Sequence, residues 1–351
     1  MADADPGGRR PSIPSAGQDT VPKFARIVKL VERICRLAGD PDLIEESRED
    51  LVSHAVPQAI RRHDTATIFD WLFDAMSYQG LSDAAVYTYM ERHGRVRWQE
   101  IGHLLEAGPR CPKLIGFETF VGCGYQKTSG RCACPELLST CPLPSHDLRN
   151  GRLNQAAYSL FLFMRDIAGG DFVGWIDDQL AKATIAPAPA RAESLRQALL
   201  EPLGHVYGVS DKVLAMALSR LLLAGDPRRK RWTEAGAVMI AVDTLVHNFL
   251  HRTGILARLD AAHAYGARCY RPEGCAAIIE RIAAEIDARR FNRAFPANFP
   301  RFVQHAIWRF CAQSGLNQCN GRRIDDRQRC TRKECPVFRR CDRIALYGAK
   351  R

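Results

Sequence analysis

Apolar residues recur along most of this chain at intervals of three and four, the spacing of one face of a helix. Phe24, Ile27, Val28, Val31, Ile34 and Cys35 predict an amphipathic helix over 23–38. A second helical stretch covers 43–62, and Ile68, Phe69, Leu72 and Phe73 form the stripe of a third over 66–77. Ser82 or Asp83 can cap the helix that follows the break at 77–83. The pattern resumes with Leu153, Ala156, Ala157, Leu160, Phe161, Met164 and Ile167, then pauses in an Ala/Pro connector at 181–191. Helices are predicted again over 191–203, 210–224, 234–251, 273–289 and 300–313. The alternating β-branched runs of a sheet are missing, so the expected fold class is all-α. At 351 residues the chain can bury the cores of two packed helical lobes.

Three stretches fall outside this periodicity. Residues 1–22 are polar and rich in Pro and Gly and read as a disordered tail. Residues 108–150 hold five cysteines among many prolines and glycines, the character of an irregular, metal-stapled insert. The C-terminal stretch carries four cysteines and many arginines in a loop-like context.

Composition narrows the class. Apolar residues make up 46%, which a disordered chain does not reach. Fifty Lys and Arg against 39 Asp and Glu leave a formal charge of +11, which favours a polyanionic partner, nucleic acid ahead of an anionic membrane surface. No apolar run approaches the roughly 18 residues of a membrane span, and the start lacks the apolar core of a secretory signal. A cytoplasmic, nucleoid-associated protein acting as a monomer is therefore expected. In a reducing compartment the 13 cysteines point to metal or iron–sulfur ligation rather than disulfides.

Two segments carry candidate chemistry. In His205–Leu218 a turn containing Gly208 joins two apolar helices, and Ser210 can cap the second. Free amides at a helix N-terminus suit a phosphate. Lys212 stands in that first turn, where the helix dipole disfavours the ammonium, as a nucleophilic lysine requires. An ordinary helical hairpin with a solvated lysine is the plainer reading. In Met239–Gly254 a carboxylate, Asp243, follows an apolar run directly. It caps a helix, pairs with a charge or does chemistry, and a capping Asp at a cleft edge can also face a substrate.

Together these segments resemble the helix-hairpin-helix DNA glycosylase superfamily, endonuclease III-like. The family hairpin L-P-G-V-G-x-K-T-A is similar to Val206-Tyr207-Gly208-Val209-Ser210-Asp211-Lys212-Val213-Leu214, with Tyr207 for Pro and Ser210 for the second Gly. The family's V-D-T segment and downstream R-x-G are similar to Val242-Asp243-Thr244-Leu245-Val246 and Arg252-Thr253-Gly254. The 31 residues from Lys212 to Asp243 exceed the endonuclease III spacing, and an archaeal branch of 8-oxoguanine glycosylases shares a long gap. Ser77-Tyr78-Gln79-Gly80-Leu81-Ser82-Asp83 resembles the S-x-Q-x-x-D loop, and Cys319-x10-Cys330-x4-Cys335-Pro-x4-Cys341 resembles the closing iron–sulfur loop, with longer early spacings.

The resemblance implies two helical lobes, one of 23–65 plus 244–351 with the C-terminal iron–sulfur loop, the other a helical barrel of 66–243 that contains the 108–150 insert. It implies an enzyme, a DNA N-glycosylase with AP lyase activity in base excision repair, acting on double-stranded DNA that contains a lesion or modified base. Lys212 and Asp243 become the catalytic pair. Gln79 fills the space left by the extruded base, and Gly208, Ser210, Arg252, Arg322 and Arg323 meet the DNA backbone. Cys319, Cys330, Cys335 and Cys341 hold a [4Fe–4S] cluster, with zinc as the alternative and Cys311 as a competing first ligand. Cys123, Cys132, Cys134 and Cys141, with Cys111 upstream, suggest a second zinc or iron–sulfur site, while Cys35, Cys269 and Cys275 read as core or incidental thiols. Within the enzyme class, 8-oxoguanine or a modified pyrimidine in foreign DNA are the alternatives; outside it stands a non-catalytic DNA-binding protein on the same scaffold.

Overall fold

The computed structural model describes residues 20–77, 88, 90–92, 96–107, 111–121, 123 and 152–347. Among them every regular element is helical: α1 (Thr20–Ala38), α2 (Leu43–Ser53), α3 (Val56–Arg62), α4 (Thr65–Ser77), α5 (Trp98–Glu106), α6 (Phe117–Phe120), α7 (Arg152–Leu162), α8 (Phe172–Ala183), α9 (Ala188–Leu203), α10 (Asp211–Ala224), α11 (Lys230–Ala237), α12 (Thr244–Arg252), α13 (Ile255–Arg258), α14 (Cys275–Ala284) and α15 (Pro300–Cys311). The all-α expectation therefore holds for the described residues. No helix among them is long and apolar enough to cross a membrane.

Boundaries follow local chemistry. The stretch over 43–62 divides because Ala55 adopts a left-handed conformation and Pro57 sits in the first turn of α3. α8, which the periodicity missed, is capped by Asp171, whose Oδ1 accepts from the Gly174 amide at 2.8 Å. α1 begins at Thr20, three residues before the predicted start, and the rest of the expected tail lies outside the described residues.

The single helix predicted over 234–251 is two, α11 and α12, separated by an apolar run. Val238, Met239, Ile240, Ala241 and Val242 are all buried. Val238 and Met239 belong to one hydrophobic cluster, built from residues between Leu51 and Met239. Ile240 and Val242 belong to another, which unites α1, α12, α14 and α15 with the C-terminal loop through Val337. The run passes between two cores, so apolar side chains are needed on both sides of it. Phe249, Phe302 and Phe310, fully buried in the second cluster, each contribute about 1.5–3 kcal/mol.

This crossing positions the polar groups of the next section. α10 packs on α2 and α11, while α15 packs on α1, α12 and α14. Arg220 on α10 pairs with Asp50 at 2.9 Å and lies over the Trp71 ring. Arg309 on α15 pairs with Asp40 at 2.9 Å.

Candidate active site and metal centres

The turn 204–210 joins α9 to α10. Its Gly208 has φ +74°, a conformation that glycine adopts without steric cost. Val206 is buried, and the Tyr207 amide donates to Ser159 Oγ at 3.0 Å, which ties the turn to α7. Ser210 occupies the N-cap position in an extended conformation, but its hydroxyl makes no capping bond. The first-turn amides are thus left uncapped by a side chain, as an anion at this helix end requires. Lys212 is half-buried in the first turn of α10.

Asp243 is the N-cap of α12, with Oδ1 accepting from the Val246 amide at 2.9 Å. Burial pushes its carboxyl above the ordinary 3.8, and the Val246 amide and the Lys212 ammonium oppose that shift. Lys212 and Asp243, distant in sequence, are therefore close enough for one charge to act on the other. Val242 beside it is held by the Tyr270 hydroxyl, which accepts from the Val242 amide at 3.0 Å and donates to its carbonyl at 3.2 Å. Tyr265 is 45% exposed; burial of its hydroxyl and the Asp243 charge both raise its ionisation above the ordinary value. Arg301 on α15 is buried, lowered to about 10 by desolvation and by Arg220, and partly restored by Asp243. A carboxyl raised by burial, an ammonium and a half-exposed aromatic ring can together move a proton, attack an electrophilic carbon and flank a planar ligand.

One metal-ligating group was missed by the sequence reading. His247, on α12 one turn after Asp243, converges with His263, Cys269 and Cys275, with one ligand atom of each lying within 4.8 Å of all the others. This group can bind a metal ion. Cys269 and Cys275 are buried in the second core cluster, as core thiols would be, and also belong to this set. Cys269 is pushed down to about 3 by hydrogen bonding from Cys275 and, beyond the opposing burial, from His247. The signal was present as His247-x15-His263-x5-Cys269-x5-Cys275, but those spacings are longer than the short pairs that mark zinc fingers.

The C-terminal thiols form a different arrangement. Cys319, Cys330, Cys335 and Cys341 line one cavity together with Phe249, Arg252, Phe310, Ile324 and Val337. Cys311, the competing ligand, does not line it; its thiol stands behind Cys319 and hydrogen-bonds to it, which lowers Cys319. Burial raises Cys341 to about 12 and also raises Cys335, with the other thiols of the cavity adding to both shifts. The loop is fastened to the end of α12, since the Ile344 amide donates to the Arg252 carbonyl at 2.9 Å.

Arg252, expected to meet the DNA backbone, is buried. It is 1% exposed, pairs with Asp326, and leaves Nε and Nη1 buried without hydrogen-bond partners at the wall of the thiol cavity. Arg322 and Arg323 are exposed, as a phosphate-facing role needs. Cys111 is buried in the first core cluster and Cys123 packs against it. Gln79, Cys132, Cys134 and Cys141 lie outside the described residues. Comparison of the chain with protein-family models, curated proteins and solved structures finds no match.

Proposed function

We propose that this chain is a DNA glycosylase with AP lyase activity, which excises a damaged or modified base from double-stranded DNA. The observation that carries the reading is that the Lys212 ammonium, in the first turn of α10 after the uncapped turn 204–210, lies within electrostatic reach of Asp243, a buried carboxyl at the N-cap of α12. α9, that turn and α10 then serve as the helix-hairpin-helix, and the two core clusters as two lobes around the site.

On this reading the amides near Gly208 and Ser210 hold the DNA phosphate, with Arg322 and Arg323 adding basic contacts. The target nucleotide turns out of the stack into the site, where Tyr265 can flank the base. Asp243 takes a proton from the Lys212 ammonium, which frees a lone pair on Nζ. That nitrogen bonds C1′ of the sugar as the C1′–base bond breaks, and the bonding pair leaves with the base. Once the sugar ring opens, with a proton of the attacking nitrogen passing to O4′, nitrogen and carbon form a Schiff base, and the 2′ proton passes to the Asp243 carboxylate as the 3′ phosphate leaves. Before this Asp243 has given the Lys212 proton to the departing base, so it is a carboxylate again and stabilises the positive charge left on the sugar and nitrogen.

The four C-terminal thiols fit a [4Fe–4S] cluster. They line a cavity instead of closing on one point, and the unpaired Arg252 donors beside it suit an anionic group with sulfur acceptors. Such a cluster, when bound, supplies a cross-link that holds the arginine-rich loop on the end of α12.

The test is incubation of the full-length protein with duplexes that each carry one lesion, followed by borohydride and a sizing gel. Covalent trapping on at least one duplex is expected, and Lys212→Gln should abolish it with folding intact. Trapping unchanged in Lys212→Gln would remove that residue from the chemistry. Salt-sensitive binding to DNA that stays uncut across the lesion panel would leave a non-catalytic DNA-binding protein.

A further inference from the structure

We propose that His247, His263, Cys269 and Cys275 hold one structural zinc ion, which pins the 263–275 loop to α12 beside Asp243. The inference rests on these side chains alone and is independent of the DNA chemistry proposed above.

Three of the six edges of the group have the length expected for a tetrahedron around a single ion, and all six lie within 4.8 Å. His247 Nδ1 lies 3.3 Å from Cys275 Sγ and 3.5 Å from Cys269 Sγ, and His263 Nε2 lies 3.4 Å from Cys275 Sγ. Zinc bonds of about 2.0–2.1 Å to nitrogen and about 2.3 Å to sulfur, at tetrahedral angles, place neighbouring N and S atoms about 3.5 Å apart. In a two-iron centre with His on one iron and Cys on the other, those His–Cys separations would be larger. Two thiolates with two imidazoles select zinc over magnesium or calcium, which prefer oxygen. Four protein ligands complete the coordination shell, and this closed arrangement is that of a structural site rather than a catalytic one.

The outer contacts agree. The second ring nitrogen of His263, Nδ1, lies 2.7 Å from the Ala261 carbonyl, so it carries the proton and leaves Nε2 free for a metal. The His247 ring is packed by His263 at 5.1 Å and by Tyr265 at 5.8 Å between centroids. Cys275 is the first residue of α14, so its backbone is held by that helix. Binding forms two Zn–S and two Zn–N bonds, and the thiol protons still present pass to solvent.

The loop so held carries Tyr265 and Tyr270, one half-exposed beside Asp243 and the other bonded to the Val242 backbone. The segment also meets α12 through ring packing on His247, and the Tyr270 hydroxyl ties it to Val242 just before that helix. The ion thus fixes the segment that carries Tyr265 beside Asp243.

The full-length protein should be assayed for zinc and iron per chain, beside His263→Ala and His263→Cys. Because other cysteines can also hold metal, the informative quantity is the difference between proteins. His263→Ala should lose one zinc per chain with iron unchanged, and His263→Cys, which restores a ligand, should keep it. Equal zinc in all three proteins, or loss of iron in place of zinc, would overturn the proposal. If His263→Ala does not fold, anomalous diffraction from wild-type crystals at the zinc edge decides. A peak between the four ligand atoms is expected, and no peak there refutes the site.

Discussion

Gly274 offers the sharpest test of how the metal loop is built. A Cβ at this position would stand 2.1 Å from the Arg268 carbonyl oxygen and 2.7 Å from the carbonyl carbon and oxygen of Cys269, where ordinary contact begins at 3.4 Å. In Gly274→Ala the 268–269 backbone must therefore retreat by about 1.3 Å, since all three obstacles are main-chain atoms that no rotamer change can move. Gly274 directly precedes Cys275, and the obstructing backbone bears Cys269, so the retreat separates two ligands of the same group. A tetrahedral zinc site tolerates about 0.2 Å in its bond lengths, several-fold less than this displacement. Overpacking costs about 1–3 kcal/mol. The expected result is loss of one zinc per chain together with destabilisation toward the upper end of that range. Metal analysis and urea unfolding measure the two effects. Gly169→Ala is the control, with φ +61° but nothing within 4 Å of its Cβ, and it should cost about 1 kcal/mol of backbone strain with metal content intact. A Gly274→Ala protein with full zinc and wild-type stability would refute the reasoning.

Burial raises Asp243 above 3.8, so the folded state holds its proton more tightly than the unfolded chain does. That contribution is complete below the unfolded value and is lost as pH rises through the folded one. Asp243→Asn keeps an oxygen for the Val246 amide and should be more stable than wild type at neutral pH, with the advantage vanishing below pH 3.8, while excision is lost. Urea melts at both pH values check this, and a less stable Asn variant at neutral pH would contradict it. His305 is lowered to about 4 by burial and by Arg301, so its stabilising contribution is present above 6.5 and is lost as pH falls toward 4. The loss amounts to about 3 kcal/mol, and His305→Gln should flatten the unfolding free energy across that window. Arg252→Met leaves Asp326 without its partner and should cost about 2–3 kcal/mol, less than a fully buried pair because Asp326 is a quarter exposed. The same variant should bleach any visible iron–sulfur absorbance faster in air, and unchanged bleaching would detach Arg252 from the thiol cavity.

Helix content and most boundaries could be read from the sequence because a helix face is a local property: Ile68, Phe69, Leu72 and Phe73 lie on one stripe whatever they later pack against. That Cys319, Cys330, Cys335 and Cys341 would come together was legible for a similar reason, as four thiols within 23 residues share a single loop. The break between α11 and α12 was not, because an apolar run buried on both sides has the same composition in a helix and in an extended crossing. Only the two cores that receive Val238 and Met239 on one side and Ile240 and Val242 on the other decide between them. The burial of Arg252 was hidden for want of the same information: a basic residue near a loop reads as exposed until Asp326 and the thiol cavity enclose it. Pattern and residue chemistry, acting over one or two turns, were enough to name Lys212 and Asp243 individually. Tertiary packing alone set the distance between them and gathered His247, His263, Cys269 and Cys275 around a point, because electrostatics and metal coordination depend on ångströms in space, which sequence separation does not encode.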